Sequence, residues 1–187
     1  MMYREAIANY CPTCPQEAAD KSMMLEYIDR FPDTILLREN QWAHMTASGF
    51  IVNADVSKVL FVHHNIYKVW AWTGGHADGE PDMLKLALKE AREETGAQSL
   101  RPLRPDIASI ELLAVWGHEK RGKWVPGHQH LNVSYVLVAD EEDHLQYCPE
   151  ENSGVAWLPV DILPQLTNEW QMDPIYAKLL KRANQWK

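Results

Sequence analysis

Leu84, Ala87, Leu88 and Ala91 recur at the i, i+3, i+4, i+7 spacing of one helix face. They predict a helix that begins near Pro81 and Asp82, residue types suited to a first turn. Gly96 ends it, since glycine enters the left-handed conformation of a helix stop at little cost. A second helix is predicted over residues 16–30, QEAADKSMMLEYIDR, where Met24, Ile28 and Phe31 share a face. Pro32 closes that run, because proline disfavours helix in the residue before it.

From Ala43 the pattern changes to short β-rich runs, HMTASGFIVN, KVLFVHH and VWAWT, with turn residues between them. Beyond the first helix come DIASIELLAVWGHE and HLNVSYVLVAD, separated by KRGKWVPGHQ, which reads as a basic, glycine-containing loop. GVAWLP supplies a further strand. Helices are expected over 160–166 and 174–185, the second with Ile175, Leu179, Leu180 and Ala183 on one face. Mixed strands flanked by helices predict an α/β (α+β) sandwich. Residues 1–40 differ in texture and read as an N-terminal helical extension to a main domain at 41–187, with the extension a candidate dimerisation or lid element.

Composition narrows the function classes. The 187 residues, 46% hydrophobic and 24% charged, suit one folding unit with an appendage. A formal net charge of -8 argues against general nucleic-acid binding, which needs clustered Lys and Arg. The chain has no apolar run of the roughly 18 residues that a membrane span requires, and MMYREAIANY lacks the pattern of a signal peptide. The expectation is a cytoplasmic protein without membrane partners. Three cysteines, Cys11, Cys14 and Cys148, do not make a disulfide scaffold, and no role is assigned to them.

The chemistry is concentrated in GGHADGEPDMLKLALKEAREETG, residues 74–96. Glu90, Glu93 and Glu94 stand at i, i+3 and i+4, so a helix points them to one side. Like charges at that spacing repel, and a divalent cation removes the conflict. Mg²⁺ suits such a site, with Mn²⁺ as the alternative, because hard cations take carboxylates, waters and phosphate oxygens together.

The segment resembles the Nudix box, G-x5-E-x7-R-E-U-x-E-E-x-G-U with U aliphatic. Gly75, Glu90, Ala91, Glu93, Glu94, Gly96 and Ala97 fall on its positions. Lys89 stands where the motif has Arg, and Pro81 where it has Glu, with Glu80 one residue early. The flanking HxTAS and HxHLNxxY, with GGHADG, are similar to a bacterial subgroup of the family. The resemblance implies a mixed sheet between helices over about residues 41–187, an α/β/α sandwich.

It also implies a Mg²⁺-dependent hydrolase that cleaves the diphosphate linkage of a nucleoside diphosphate derivative by water attack at phosphorus. The substrate is then a small phosphorylated nucleotide-like molecule. Glu90, Glu94 and the Gly75 carbonyl are the implied metal ligands, Glu93 a ligand or the base, and Glu93 and Glu94 the catalytic pair. Glu151, before GVAWLP, stands where many members place one more ligand. His76, Lys89, Arg121, His128 and His130 are the candidates for substrate contact, the two late histidines on one strand face reaching phosphate or metal. Trp70, Trp72, Trp116 and Trp124 are expected chiefly in packing. Two other readings use the same residues: a Nudix module that binds without turnover, suggested by Pro81 and Lys89, and an isopentenyl-diphosphate isomerase-like enzyme. The isomerase uses histidines for metal, and His44 and His76 are reminiscent of it, but its catalytic Cys is here Gly74.

Overall fold

Ten consecutive buried residues, Ala43–Val52, form the strand around which the chain is organised (β1). A strand buried on both faces must be covered on both, and alternation decides which residue goes where. Met45, Ala47 and Ile51 enter one apolar core, whereas Phe50 and Val52 enter the other. The computed structural model describes residues 2–65, 68–120, 122–167 and 170–187. Arg121, a candidate for substrate contact, lies outside the described residues.

In chain order the elements are α1 (Met2–Asn9), α2 (Pro15–Arg30), β1, β2 (Lys58–His64), β3 (Trp70–Ala71), β4 (Thr73–His76) and α3 (Met83–Thr95). There follow β5 (Arg101–Pro102), β6 (Ser109–Val115), β7 (His118–Lys120), β8 (Lys123–Val125), β9 (His128–Val138) and β10 (Asn152–Pro159). A 3-10 turn at Val160–Ile162, α4 (Leu163–Thr167) and α5 (Asp173–Trp186) close the chain. β1 runs parallel to β9 along one edge; on the other it pairs antiparallel with β4 and then β2. β10 lies outside β2, and β5 and β6 outside β9, so the sheet is mixed, as expected.

One face is covered by α1, α2 and α3 through Tyr3, Ile7, Met24, Ile28, Leu86 and Ala87. The other is covered by α4 and α5 through Leu163, Tyr176, Leu179 and Ala183. The first forty residues thus contribute directly to the core beneath β1.

Several expectations change. α1 was not anticipated, although Tyr3 and Ile7 already stand one turn apart. KRGKWVPGHQ is not simply a loop: Lys120 and Lys123–Val125 belong to the β7–β8 hairpin, and His128 and Gln129 begin β9. VWAWT divides at Trp72 into β3 and β4, because the chain leaves β2 to pair with β1. The buried face of α3 is rotated to Met83, Leu86, Ala87 and Ala91, leaving Leu84 and Leu88 at its margin. Trp70 and Trp72 do pack against the second core, but Trp116 and Trp124 are exposed. No helix among the described residues is long and apolar enough to cross a membrane.

α2 also closes a sheet edge. Gln16 donates to the Ile110 carbonyl at 3.2 Å and Asp20 accepts from the Leu112 N–H at 3.0 Å, which satisfies backbone groups that an open β6 would expose. Beside that edge Lys178 of α5 lies 3.0 Å from both Glu17 and Glu111, each almost wholly buried. Burial pushes the Glu111 carboxyl up, against the opposing pull of the Lys178 ammonium. Lys178→Met should therefore leave two buried carboxylates without their cation and cost about 3–5 kcal/mol. A lower urea midpoint at unchanged slope is expected, and a midpoint equal to that of the parent protein would remove this ion pair from the account.

Candidate active site

The helix bearing the carboxylates is fixed locally at both ends. Asp82 caps α3 by accepting from the Lys85 N–H at 3.0 Å, and Gly96 ends it at φ 74° with its N–H on the Arg92 carbonyl. A Cβ on Gly96 would also stand 2.7 Å from the Gln146 nitrogen, so both conformation and space demand glycine.

Along its length α3 packs on β1 and β4, and the glycine pair permits a close approach. A Cβ on Gly74 would meet the Ser48 hydroxyl at 2.7 Å and the Ala47 carbonyl at 2.8 Å; one on Gly75 would run into the Glu90 carboxylate. The isomerase-like reading weakens here, since a cysteine at position 74 would press on β1.

Glu94 is 5% exposed and holds the centre. It accepts from the Gly74 N–H at 2.8 Å and from the Asn152 amide at 3.1 Å. Burial pushes its carboxyl up to about 8, those two hydrogen bonds oppose the rise, and the charges of Glu151 and Glu90 add to it. Glu90 lies against Gly75, its side chain 16% exposed. Glu93 does not join them: its side chain is 57% exposed, on the outer flank of α3. Lys89 spans the two positions, 3.0 Å from Glu90 and 3.2 Å from Glu93, so its charge is already directed at carboxylates. Glu151 is exposed in the turn before β10, near enough for its charge to act on Glu94.

Asn152 was missing from the sequence-based site. It heads β10 just before a register shift against β2, the kind of irregularity that re-aims a side chain. Its Oδ1 is buried without a hydrogen-bond partner among the described residues. An unmatched oxygen beside two carboxylates, one disfavoured in its charged form, is a donor set that fits a hard divalent cation.

A second cluster lies on the opposite face of the sheet. Parallel pairing sets His44 of β1 beside His130 of β9, and antiparallel pairing sets His76 of β4 beside Thr46. Ring centroids are 5.0 Å apart for His44 and His76, 5.0 Å for His44 and His130, 4.7 Å for His76 and His130, and 4.7 Å for His44 and His128. Burial lowers the His130 imidazole to about 2, the neighbouring histidines and Arg38 adding to the effect. Of the candidate substrate contacts, His76, His128 and His130 are thus brought together, whereas Lys89 stays with Glu90 and Glu93.

The model of the NUDIX domain matches residues 42–181. The chain belongs to the Nudix family. It is 34% identical over 128 residues to the m7GpppN-mRNA hydrolase NUDT17 of Xenopus laevis, covering 60% of this chain and 40% of that protein. The chain thus spans well under two thirds of that relative's length. In fold, it is similar to a NUDIX family hydrolase from Clostridium perfringens, with 18% identity, a TM-score of 0.55, and coverage of 77% of this chain and 98% of that one. A C. elegans Ap4A hydrolase gives 18% identity and a TM-score of 0.54 over 76% of this chain and 96% of that one.

The Glu94 shift has a sign that can be tested without substrate. Its folded value lies above the ordinary 4.5, so the stability associated with the protonated form is complete below 4.5 and is lost as pH rises toward about 8. In EDTA, the melting temperature of the parent protein should fall across that window relative to Glu94→Gln. Parallel pH profiles for the two proteins would show that Glu94 is not protonated on folding.

Proposed function

We propose that this chain is a divalent-metal-dependent hydrolase that cleaves the diphosphate linkage of a nucleoside diphosphate derivative by water attack at phosphorus. The observation that carries this reading is the buried Glu94 beside Glu90, held against the glycine pair of a Nudix domain. When bound, Mg²⁺ or Mn²⁺ supplies charge neutralisation at the diphosphate oxygens and acidifies the attacking water.

The remaining tasks fall to the protein. Glu90 and Glu94, with the Gly75 carbonyl, hold the cation, and Glu151 adds a carboxylate from the turn before β10. Glu93, on the open side of α3, has the solvent access that a proton acceptor for water needs. Lys89 positions Glu90 and Glu93 as a point charge, without the planar two-pronged grip of Arg. Exposed Trp116, just before β7, and Trp124, within β8, offer ring faces to a base. The relative that cleaves m7GpppN-mRNA makes a dinucleoside polyphosphate a reasonable member of the test panel, with nucleoside triphosphates and nucleotide sugars. A cytoplasmic, membrane-independent setting accords with this class of substrate.

A binding module without turnover is the second reading, and it rests on Lys89 already neutralising Glu90 and Glu93. Phosphate or nucleotide release with Mg²⁺ and Mn²⁺ across the panel separates the two. No release from any substrate would favour the module.

Glu94→Gln should remain folded and lose about 100-fold to 10,000-fold in turnover. Gly75→Ala should do likewise by a different route, because the added methyl displaces the flexible end of Glu90 and not backbone. Unimpaired turnover in both purified variants would reject this assignment.

A further inference from the structure

His44, His76 and His130 come from three strands, β1, β4 and β9, and their ligand atoms lie within 4.8 Å of one another. Buried histidines ordinarily satisfy both ring nitrogens, but His44 does not. Its Nδ1 lies 3.0 Å from the Asn40 carbonyl, which can only accept, so that nitrogen carries the proton. Nε2 is then a bare lone pair, buried and without a hydrogen-bond partner among the described residues. Leaving such an acceptor buried and unmatched is unfavourable.

His128 repeats the arrangement. Its Nδ1 is 2.9 Å from the Pro126 carbonyl, which makes Nε2 a second lone pair, directed at the His130 Nε2 3.3 Å away. Two nitrogens bound to one tetrahedral zinc at 2.0–2.1 Å stand about 3.3–3.4 Å apart. Histidines that donate their second ring N–H to a backbone carbonyl are also the usual form of metal ligand, because that bond fixes the tautomer and the ring.

We propose that His44, His76 and His130 form a binding site for a zinc-class transition cation, with His128 at its rim beside His130, separate from the carboxylate site. Imidazole nitrogens favour such ions, whereas the oxygen donors around Glu94 favour Mg²⁺ or Mn²⁺. The separation follows from strand alternation. Gly75 faces Glu90 and α3, and its neighbour His76 faces the other side of the sheet, in the row of Thr46 and Asn132. Arg38, the cation whose charge is felt at His44 and His130, is held by Asp78 through two hydrogen bonds of 2.7 Å, which offsets repulsion of a bound ion.

The site does not depend on hydrolysis, and its test does not measure hydrolysis. Protein stripped with chelator is titrated with Zn²⁺ and with Co²⁺ in the presence of excess Mg²⁺. Metal content after dialysis and the visible absorption of cobalt(II) report binding. One equivalent, with the intense bands of a low-coordinate cobalt site, is expected. Glu90→Gln with Glu94→Gln should leave that stoichiometry unchanged, and His76→Gln or His130→Gln should weaken zinc binding by at least about 100-fold. Because His44 and His130 are packed between strands, His128→Gln at the rim is included, with about 10-fold weakening expected. The proposal is overturned if the parent protein retains no stoichiometric zinc, or if the histidine variants bind as tightly as the parent.

Discussion

The structure around the site depends on a buried carboxylate held where its charge is disfavoured. Glu94 reaches from α3 to the Gly74 N–H of β4, which pairs with β1, and to the Asn152 amide of β10, which pairs with β2, joining a helix to two strands of the sheet. Two hydrogen bonds do not offset its burial, and its carboxyl stays near 8. The backbone around it is closely packed. Gly74 has no space for a side chain, Gly75 lets Glu90 lie on the backbone, and Ala87 and Ala91 keep α3 close to the sheet. A carboxylate kept in such a place stores an affinity for cations, which fits the metal-dependent role proposed for it.

The same sheet separates two kinds of chemistry by one residue of strand. On the side covered by α3, β4 presents Gly75 to a carboxylate; on the other it presents His76 to the imidazoles of His44 and His130. Below the histidines, Thr46 and Ser48 both donate to Asn132, and Asn132 continues to Ser134, before Phe50 and Val136 begin the apolar core. This face therefore grades from ionisable to polar to apolar along β1 and β9. Only a parallel β1–β9 pair in fixed register stacks those like residues in rows.

That register explains what the sequence could and could not reveal. Glu90, Glu93, Glu94 and the two ends of α3 were legible because they are separated by a few residues on one regular element, where 3.6 residues per turn converts spacing into direction. Even there the orientation was incomplete: convergence was expected of all three carboxylates, but the tilt of α3 onto Gly75 leaves Glu93 outside. His44 and His130 are 86 positions apart, and no local pattern states that their strands will be neighbours. Asn152 was invisible for a related reason, since its aim comes from a register shift against β2. The α1 helix escaped notice because its apolar contribution is two side chains, Tyr3 and Ile7, whose burial depends on a core built by later segments.

The two departures from the motif can now be weighed by where they fall. Pro81 displaces the acidic position to Glu80, which turns to the start of α3, accepting from the Asp82 N–H at 3.1 Å and pairing with Lys85 at 2.5 Å. It serves the helix end and stands apart from Glu94. Lys89 lies on the opposite flank, where one ammonium faces two carboxylates on a mobile stem, and the more exposed of those, Glu93, is held less firmly. Neither change touches the pocket formed by Gly74, Glu94 and Asn152. Lys89 does reach Glu90, one of the residues proposed to hold the cation, as well as Glu93, so any loss relative to an Arg-containing site falls on metal affinity as well as on turnover.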